Sequence, residues 1–93
     1  MNHAHKYALV EAERARVKGK TQEALRLYDA AIEGAVKNEF VQDAAIACEF
    51  AAEYHREIES RETSQSYARD AISHYEKWGA IAKVEDVKEK FGL

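Results

Sequence analysis

The chain has 93 residues, of which 46% are hydrophobic and 33% are charged, and a formal net charge of −3. This length allows one domain at most, and the acidic balance argues against nucleic acid or an anionic membrane as a partner. No apolar run reaches the roughly 18–20 residues of a membrane-spanning helix. Proline is absent, and a single cysteine excludes an internal disulfide. We therefore expect an all-α protein in a cytoplasmic, reducing compartment.

The first predicted helix spans about residues 3–18 and ends at Gly19, which can adopt the left-handed conformation that closes a helix. Its small residues recur along one face, which three larger apolar residues widen. The small residues are Ala4, Ala8, Ala12 and Ala15, and the larger ones are Tyr7, Leu9 and Val17. Such a face predicts close packing against a second helix.

The second predicted helix begins near Thr21, a residue type suited to N-capping, and continues to residues 35–37. Gly34 lies inside it, which predicts either a close backbone contact or early fraying of the helix end. Asn38, which tolerates the left-handed conformation, marks the exit. A stripe of small and aromatic residues faces the first helix: Ala24, Tyr28, Ala31 and Ile32. Together these helices predict hairpin one, residues 3–37.

The third predicted helix spans about residues 40–58 and is apolar on two sides, so we expect it to be the central helix. Cys48 lies among its alanines, which favours a small buried residue over a nucleophile. A polar segment, residues 57–64, predicts the next turn, with Thr63 or Ser64 as N-cap. The fourth helix then runs to Trp78, before Gly79, and completes hairpin two, residues 40–78. Its expected inward residues are Tyr67, Ala68, Ala71, Ile72, Tyr75 and Trp78.

A last helix is predicted over residues 81–91. Its apolar stripe is narrow, whereas its lysines, glutamates and aspartate face water. A single narrow stripe is typical of a helix that caps a stack of helical hairpins. The stripe consists of Ile81, Val84, Val87 and Phe91.

The two hairpins repeat with an offset of 40 residues, because Ala24-x-x-x-Tyr28-x-x-Ala31-Ile32 corresponds to Ser64-x-x-x-Ala68-x-x-Ala71-Ile72. A repeat of this length indicates stacked helical hairpins. The first unit resembles a tetratricopeptide repeat, with glycine at the turn, then alanine, tyrosine and alanine at the spacing of that family. The period is longer than usual and the closing proline is absent, so the expected right-handed superhelix is tetratricopeptide-like.

A more specific resemblance covers nearly the whole chain. The segments H-K-Y-A-L-V-E-A-E-R-A-R, E-A-L-R-L-Y-D-A-A-I and Y-A-R-D-A-I-S-H-Y-E-K-W-G-A are similar to a helical-repeat region of large bacterial signalling proteins. In that family the region stands between a protein-kinase-like domain with an ATPase module and GAF and histidine kinase domains. The resemblance implies a fragment that links or regulates neighbouring domains, and it carries over no catalytic residue.

No sequence motif for catalysis, nucleotide binding or metal binding is present, so we expect no catalytic, cofactor or metal site. His3 and His5 would point to different sides of a helix, and His55 with Glu59 supplies too few ligands. We expect His55 to be packed between repeats and His74 to lie on the surface. We expect Tyr54, Tyr67, Tyr75 and Trp78 to pack in the core and not to form a ligand cage.

In stacked hairpins the first helix of each pair lines an inner groove, whose residues we expect to be Lys6, Leu9, Glu13, Arg16, Ile46, Glu49, Glu53 and Arg56. An ordinary solvated surface is the competing interpretation for each of them. The favoured function is a non-catalytic protein interaction or interdomain scaffold module of a signal-transduction protein. A stand-alone peptide-binding adaptor and a regulatory part of an ATPase-containing transcription activator are the alternatives. The exposed end faces of a truncated stack could also pair two copies.

Overall fold

The computed structural model describes residues 4–93 and forms five α-helices, with no strand in that range. The all-α prediction is therefore confirmed. The helices are α1 (Ala4–Val17), α2 (Thr21–Lys37), α3 (Val41–Glu57), α4 (Arg61–Trp78) and α5 (Ile81–Phe91). The predicted bounds differ from these by a few residues at most, except that His3 lies outside the described residues.

Each helix packs against the next one along the chain: α1 on α2, α2 on α3, α3 on α4 and α4 on α5. The molecule measures 36 × 32 × 16 Å. Since packed helices lie about 8–10 Å apart, the short dimension is about two helices deep. One core cluster is centred on Ala12, Tyr28 and Tyr54, and a second lies between α3, α4 and α5 around Tyr75 and Val87.

The four turns between helices recur every 20 residues and share one geometry. The residue with positive φ is Gly19 (73°), Glu39 (60°), Glu59 (61°) or Gly79 (84°). In each turn its N–H donates to a carbonyl three residues back, and the next N–H donates to a carbonyl five residues back. This is the pairing of a helix closed by a left-handed residue. Glutamate thus takes the place of glycine in two of the four turns.

The same repeat appears in burial. Residues 21–40 and 61–80 are buried, half-buried and exposed in the same order, position for position. The 40-residue offset seen in the sequence therefore relates α2 to α4 and the turns that follow them. Because equal positions have equal environments, a residue in one pair can be compared directly with its counterpart 40 residues away.

The predicted capping residues are wrong. Thr21 is the first residue of α2, and the N-cap position is Lys20. The N-cap residues of α2, α3, α4 and α5 make no side-chain capping hydrogen bond. Thr63 lies inside α4, and Ser64 is buried there and donates its hydroxyl to the carbonyl of Ala52 at 2.7 Å. The left-handed turns satisfy the last carbonyls of the preceding helices, and each following helix begins two residues after the left-handed residue.

Small residues set the helix separations. The alanines at the contacts between helices are 0–4% exposed, and they are Ala12, Ala15, Ala24, Ala31, Ala35, Ala44, Ala45, Ala47, Ala51, Ala52, Ala68 and Ala71. Gly34 serves the same purpose, since a Cβ built on it would lie 2.8 Å from the Cβ of His5. The predicted close contact at Gly34 is therefore confirmed, between α1 and α2.

Some residues expected in the core are exposed. Tyr7 is 74% exposed and Val17 is 86% exposed, because they lie on the side of α1 that no other helix covers. Trp78 and Ile81, at the turn between α4 and α5, are 43% and 65% exposed. Asn38 has φ of −98°, and the neighbouring Glu39 takes the left-handed conformation in its place.

Replacing Ala31 by Asp places an unpaired charge in the contact between α1 and α2, where Ala31 is 1% exposed. We expect Ala31→Asp to lower the free energy of unfolding by about 3–5 kcal/mol, measured by urea denaturation. The matched control is Ala30→Asp, at the adjacent exposed position, which should change stability by less than about 0.5 kcal/mol. Equal midpoints for the two variants would contradict the packing of α1 on α2.

Replacing Glu59 by Gly removes the steric cost of a left-handed glutamate. We expect Glu59→Gly to raise the free energy of unfolding by roughly 0.5–1 kcal/mol, since the added flexibility of the unfolded chain offsets part of the gain. Glu33→Gly, at an exposed position within α2, should lower stability by about 1 kcal/mol. Thermal denaturation checks the opposite signs, and a loss of stability in Glu59→Gly would refute the turn geometry.

Candidate interaction surface

The structure divides the predicted groove into an open part and a covered part. Lys6 is exposed, whereas Leu9, Glu13 and Ile46 are half-buried beside open surface. Arg16 is half-buried and pairs with Glu13 and Glu57. The remaining three residues, Glu49, Glu53 and Arg56, contact α5. Three of the predicted groove residues therefore lie at the contact of α3 with α5.

Glu49 is a buried carboxylate, 6% exposed, on which three helices converge. The hydroxyl of Tyr75 in α4 donates to its Oε1 at 2.7 Å. From α5, the Nζ of Lys90 lies 2.8 Å from Oε2 and the Nζ of Lys83 lies 3.1 Å from Oε1. Lys90 also bridges to Oε1 of Glu53 at 2.7 Å. This cluster joins α5 to the rest of the fold.

The electrostatics of the cluster favour the charged carboxylate. Burial disfavours ionisation of Glu49, but hydrogen bonds from Lys90, Tyr75 and Lys83 outweigh burial, and the pKa of Glu49 is lowered. The hydrogen bonds of Lys90 to Glu49 and Glu53 raise the pKa of Lys90 above its ordinary value. The geometry of these ion pairs joins α5 to α3 and α4.

Arg56 also ties α3 to the end of α5. Its Nη1 donates to the carbonyl of Lys90 at 3.0 Å, and its guanidinium lies 4.9 Å from the centre of the Phe91 ring. A cation over an aromatic face is attracted by the ring quadrupole. Arg56 therefore fastens the C-terminal turn of α5, and it borders a separate depression together with Gln65 and Phe91.

The first helix pair contains an equivalent combination of tyrosine and acid. The hydroxyl of Tyr28, a residue that is 1% exposed, donates to Oε2 of Glu13. Arg16 lies 3.3 Å from Glu13 and 2.8 Å from Glu57 of α3. Burial, followed by the bond to Glu13, raises the pKa of Tyr28, and the bond to Glu57 raises the pKa of Arg16. Both pairs thus satisfy a buried tyrosine with a glutamate of the preceding helix.

An apolar groove lies beside α1 on the side of Phe50, and we call it the α1–α3 groove. It is lined by Leu9, Val10, Val17 and Phe50, with Glu13, Arg14 and Lys18 among its bordering residues, and it has a volume of about 490 Å³. A second depression continues it along Leu9, Val10 and Ile46. A concave apolar surface of this size can take up several side chains of a partner.

The sequence reasoning missed three lining residues of this groove. It placed Val17 on the packing face of α1, it treated Phe50 only as part of a central helix that is apolar on two sides, and it gave Val10 no role. Val10 and Val17 are seven residues apart, which puts both on one face of a helix, opposite the buried alanines of α1. That spacing is the signal that could have identified them.

The histidines and the cysteine fit structural roles. His5 is buried, with Nε2 2.8 Å from Asp43 and its ring stacked on Phe40. His55 stacks on Tyr67 of α4 at 5.0 Å between ring centres, a contact within the second helix pair, and burial lowers the pKa of His55. His74 is half-buried, although the surface was expected. Burial raises the pKa of Cys48 to about 12, so the thiol is not an activated nucleophile.

Within residues 4–93, no group of three or more histidine, cysteine, aspartate and glutamate side chains could hold a metal ion. Over the same range, no helix is both long enough and apolar enough to cross a bilayer.

Comparisons with models of protein families, with curated proteins and with solved structures found no match to this chain. The resemblance to a repeat region of bacterial signalling proteins therefore stays a prediction.

Replacing Glu49 by Gln removes the charge that Lys83 and Lys90 share. We expect Glu49→Gln to lower the free energy of unfolding at neutral pH by roughly 2 kcal/mol. Because the pKa of Glu49 is lowered in the folded protein, its contribution is present above the ordinary glutamate pKa of about 4.3. That contribution is lost as the pH falls through the lower folded value.

The measurement is urea denaturation from pH 7 down to pH 3. Glu49→Gln should show a shallower loss of stability on the acid side than the parent protein. Glu76→Gln, at an exposed position of α4, serves as the control and should follow the parent curve. If Glu49→Gln and the parent protein lost stability equally as the pH fell, Glu49 would not be the group responsible for the acid dependence of stability.

Proposed function

We propose that this chain is a non-catalytic protein-interaction or interdomain scaffold module that binds apolar side chains of its partner in the α1–α3 groove. The observation that carries the proposal is this exposed apolar lining, with Val10 53% and Val17 86% exposed, in a fold whose other apolar helix faces are mostly covered. Exposed apolar surface in a concave site is typical of protein contacts.

The repeat supports a tetratricopeptide-like arrangement. In it, α1 with α2 and α3 with α4 are two antiparallel hairpins, α5 is the capping helix, and the stack is a right-handed superhelix. The support is that α2 packs on α3 as α4 packs on α5, with the same burial pattern 40 residues apart. In stacks of this kind the first helices of each pair present a surface for partners.

The chemistry of the groove defines the segment that fits it. Its floor is apolar, and Arg14 and Lys18 add positive charge on the border, against the negative charge of Glu13. A peptide or a neighbouring domain with two or three large apolar side chains and an acidic flank would complement this surface. The resemblance of the sequence places such a module next to the kinase and sensor domains of a bacterial signalling protein of the sensor histidine kinase type.

A displayed library of short peptides, selected against the purified protein, tests the proposal. We expect the selected peptides to carry paired large apolar residues and to lose affinity at least about tenfold for Val17→Asp, because a charge is then placed in the apolar groove. Val17 is 86% exposed, so this variant keeps its fold. Binding is measured by fluorescence anisotropy.

Ala30→Asp is the matched control, since it adds the same charge at an exposed position of α2. It should bind the selected peptides as the parent protein does. Failure to select any peptide, or equal affinity for Val17→Asp and the parent protein, would refute the groove as the binding surface.

A further inference from the structure

One open face of α1 adjoins the groove and shares Val10 and Arg14 with it. Tyr7, Val10, Glu11 and Arg14 lie along it, around a shallow depression that Lys6 also borders, and we call it the α1 outer face. Tyr7 is 74% exposed and Val10 is 53% exposed. An exposed tyrosine and valine on adjacent turns form an apolar strip between two charges of opposite sign.

The repeat shows how the chain uses the equivalent face elsewhere. Forty residues on, Tyr7, Glu11 and Arg14 correspond to Ala47, Ala51 and Tyr54 of α3. Those three are 2%, 0% and 5% exposed, in a part of α3 that packs against α2. In the second pair this face is therefore an interface between helices.

The face is used once more at α5. Val84, Val87 and Phe91 correspond to Ala44, Ala47 and Ala51 of α3, and they are buried in the core cluster that α5 shares with α4. The α1 outer face is thus the first of three equivalent helix faces, on α1, α3 and α5. The faces on α3 and α5 are buried against other helices, whereas the face on α1 is open.

The opposite end of the stack does not offer a complementary surface. Ala45 and Cys48 of α3, which belong to the cluster shared with α4, correspond to Glu85 and Lys88 of α5. Glu85 is exposed and Lys88 is half-exposed. Because charged side chains replace the small apolar ones, a second copy cannot extend the stack by packing its α1 on this side of α5.

The charges of the α1 outer face are complementary to themselves. Glu11 and Arg14 of one copy lie 3.7 Å apart along the helix. When two α1 helices pack antiparallel about a two-fold axis beside residues 12 and 13, Glu11 of each faces Arg14 of the other. Tyr7 then faces Lys18, a cation that can lie over its ring. A two-fold arrangement repeats each contact and closes the assembly.

We propose that the α1 outer face binds the α1 outer face of a second copy of this chain, in an antiparallel two-fold dimer held by paired Glu11–Arg14 contacts around Tyr7 and Val10. This inference does not rest on the proposed function, because its experiment measures mass and not peptide binding, although Val10 and Arg14 belong to both surfaces.

Sedimentation equilibrium of the 93-residue chain, from micromolar to millimolar concentration, tests the dimer. We expect a reversible monomer–dimer equilibrium that weakens as salt is added, because exposed charge pairs are screened. In Arg14→Glu, the introduced glutamate of each copy faces Glu11 of the other copy, so the charges repel. This variant should weaken dimerisation at least about tenfold. The double variant Glu11→Arg with Arg14→Glu exchanges the charges, restores both pairs and should restore the dimer.

Arg69→Glu, a charge reversal at an exposed position of α4, is the matched control and should dimerise like the parent protein. Circular dichroism and thermal denaturation establish that each variant is folded. A monomer at every concentration, equal dimerisation of Arg14→Glu and Arg69→Glu, or a double variant as weak as the single one would each overturn the proposal.

Discussion

The structure depends on the close approach of neighbouring helices across alanine. At the contacts of α1 with α2 and of α3 with α4, residues such as Ala12, Ala24, Ala52 and Ala68 are 0% exposed. A small side chain brings two backbones close together, so the dispersion contacts come from backbone and Cβ atoms that are already fixed. Alanine also loses no side-chain entropy on burial and favours the helix. A larger residue at any of these positions would separate the helices and open the core. The alanine contacts explain why a chain of 93 residues with few large aliphatic side chains can form five packed helices.

Polar groups in this narrow core follow one rule in both helix pairs. A tyrosine fills the space that the alanines leave, and a glutamate of the preceding helix accepts its hydroxyl: Tyr28 with Glu13, and Tyr75 with Glu49. The difference between the pairs lies in what neutralises the acid. Glu13 is joined by Arg16 of its own helix, whereas Glu49 is joined by Lys83 and Lys90 of α5. The second acid therefore positions another helix, and this is why α5 covers part of α3 and interrupts the surface that α1 and α3 would otherwise share.

The exposed apolar residues mark where the repeat has no further helix. On α1 the outer face and the adjoining groove remain open, although the same positions of α3 and α5 are mostly covered. This asymmetry between the two ends of the stack is a property of the repeat and not of any single motif. It supports an interpretation of function through contacts with other protein surfaces.

The sequence alone determined the helices, their order and the 40-residue repeat, because alanine spacing and turn residues are local signals that act within a few residues along the chain. For Gly34 it left two explanations, close approach or fraying, and the structure shows the close approach to His5. It could not decide which apolar residues become core. Four residues of types common in a core are exposed because no helix lies against them: Tyr7, Val17, Trp78 and Ile81. Nor could it show that Glu49, Glu53 and Arg56 contact α5, more than 30 residues away. Burial and ion pairing depend on which elements meet in space, and only the tertiary structure decides that.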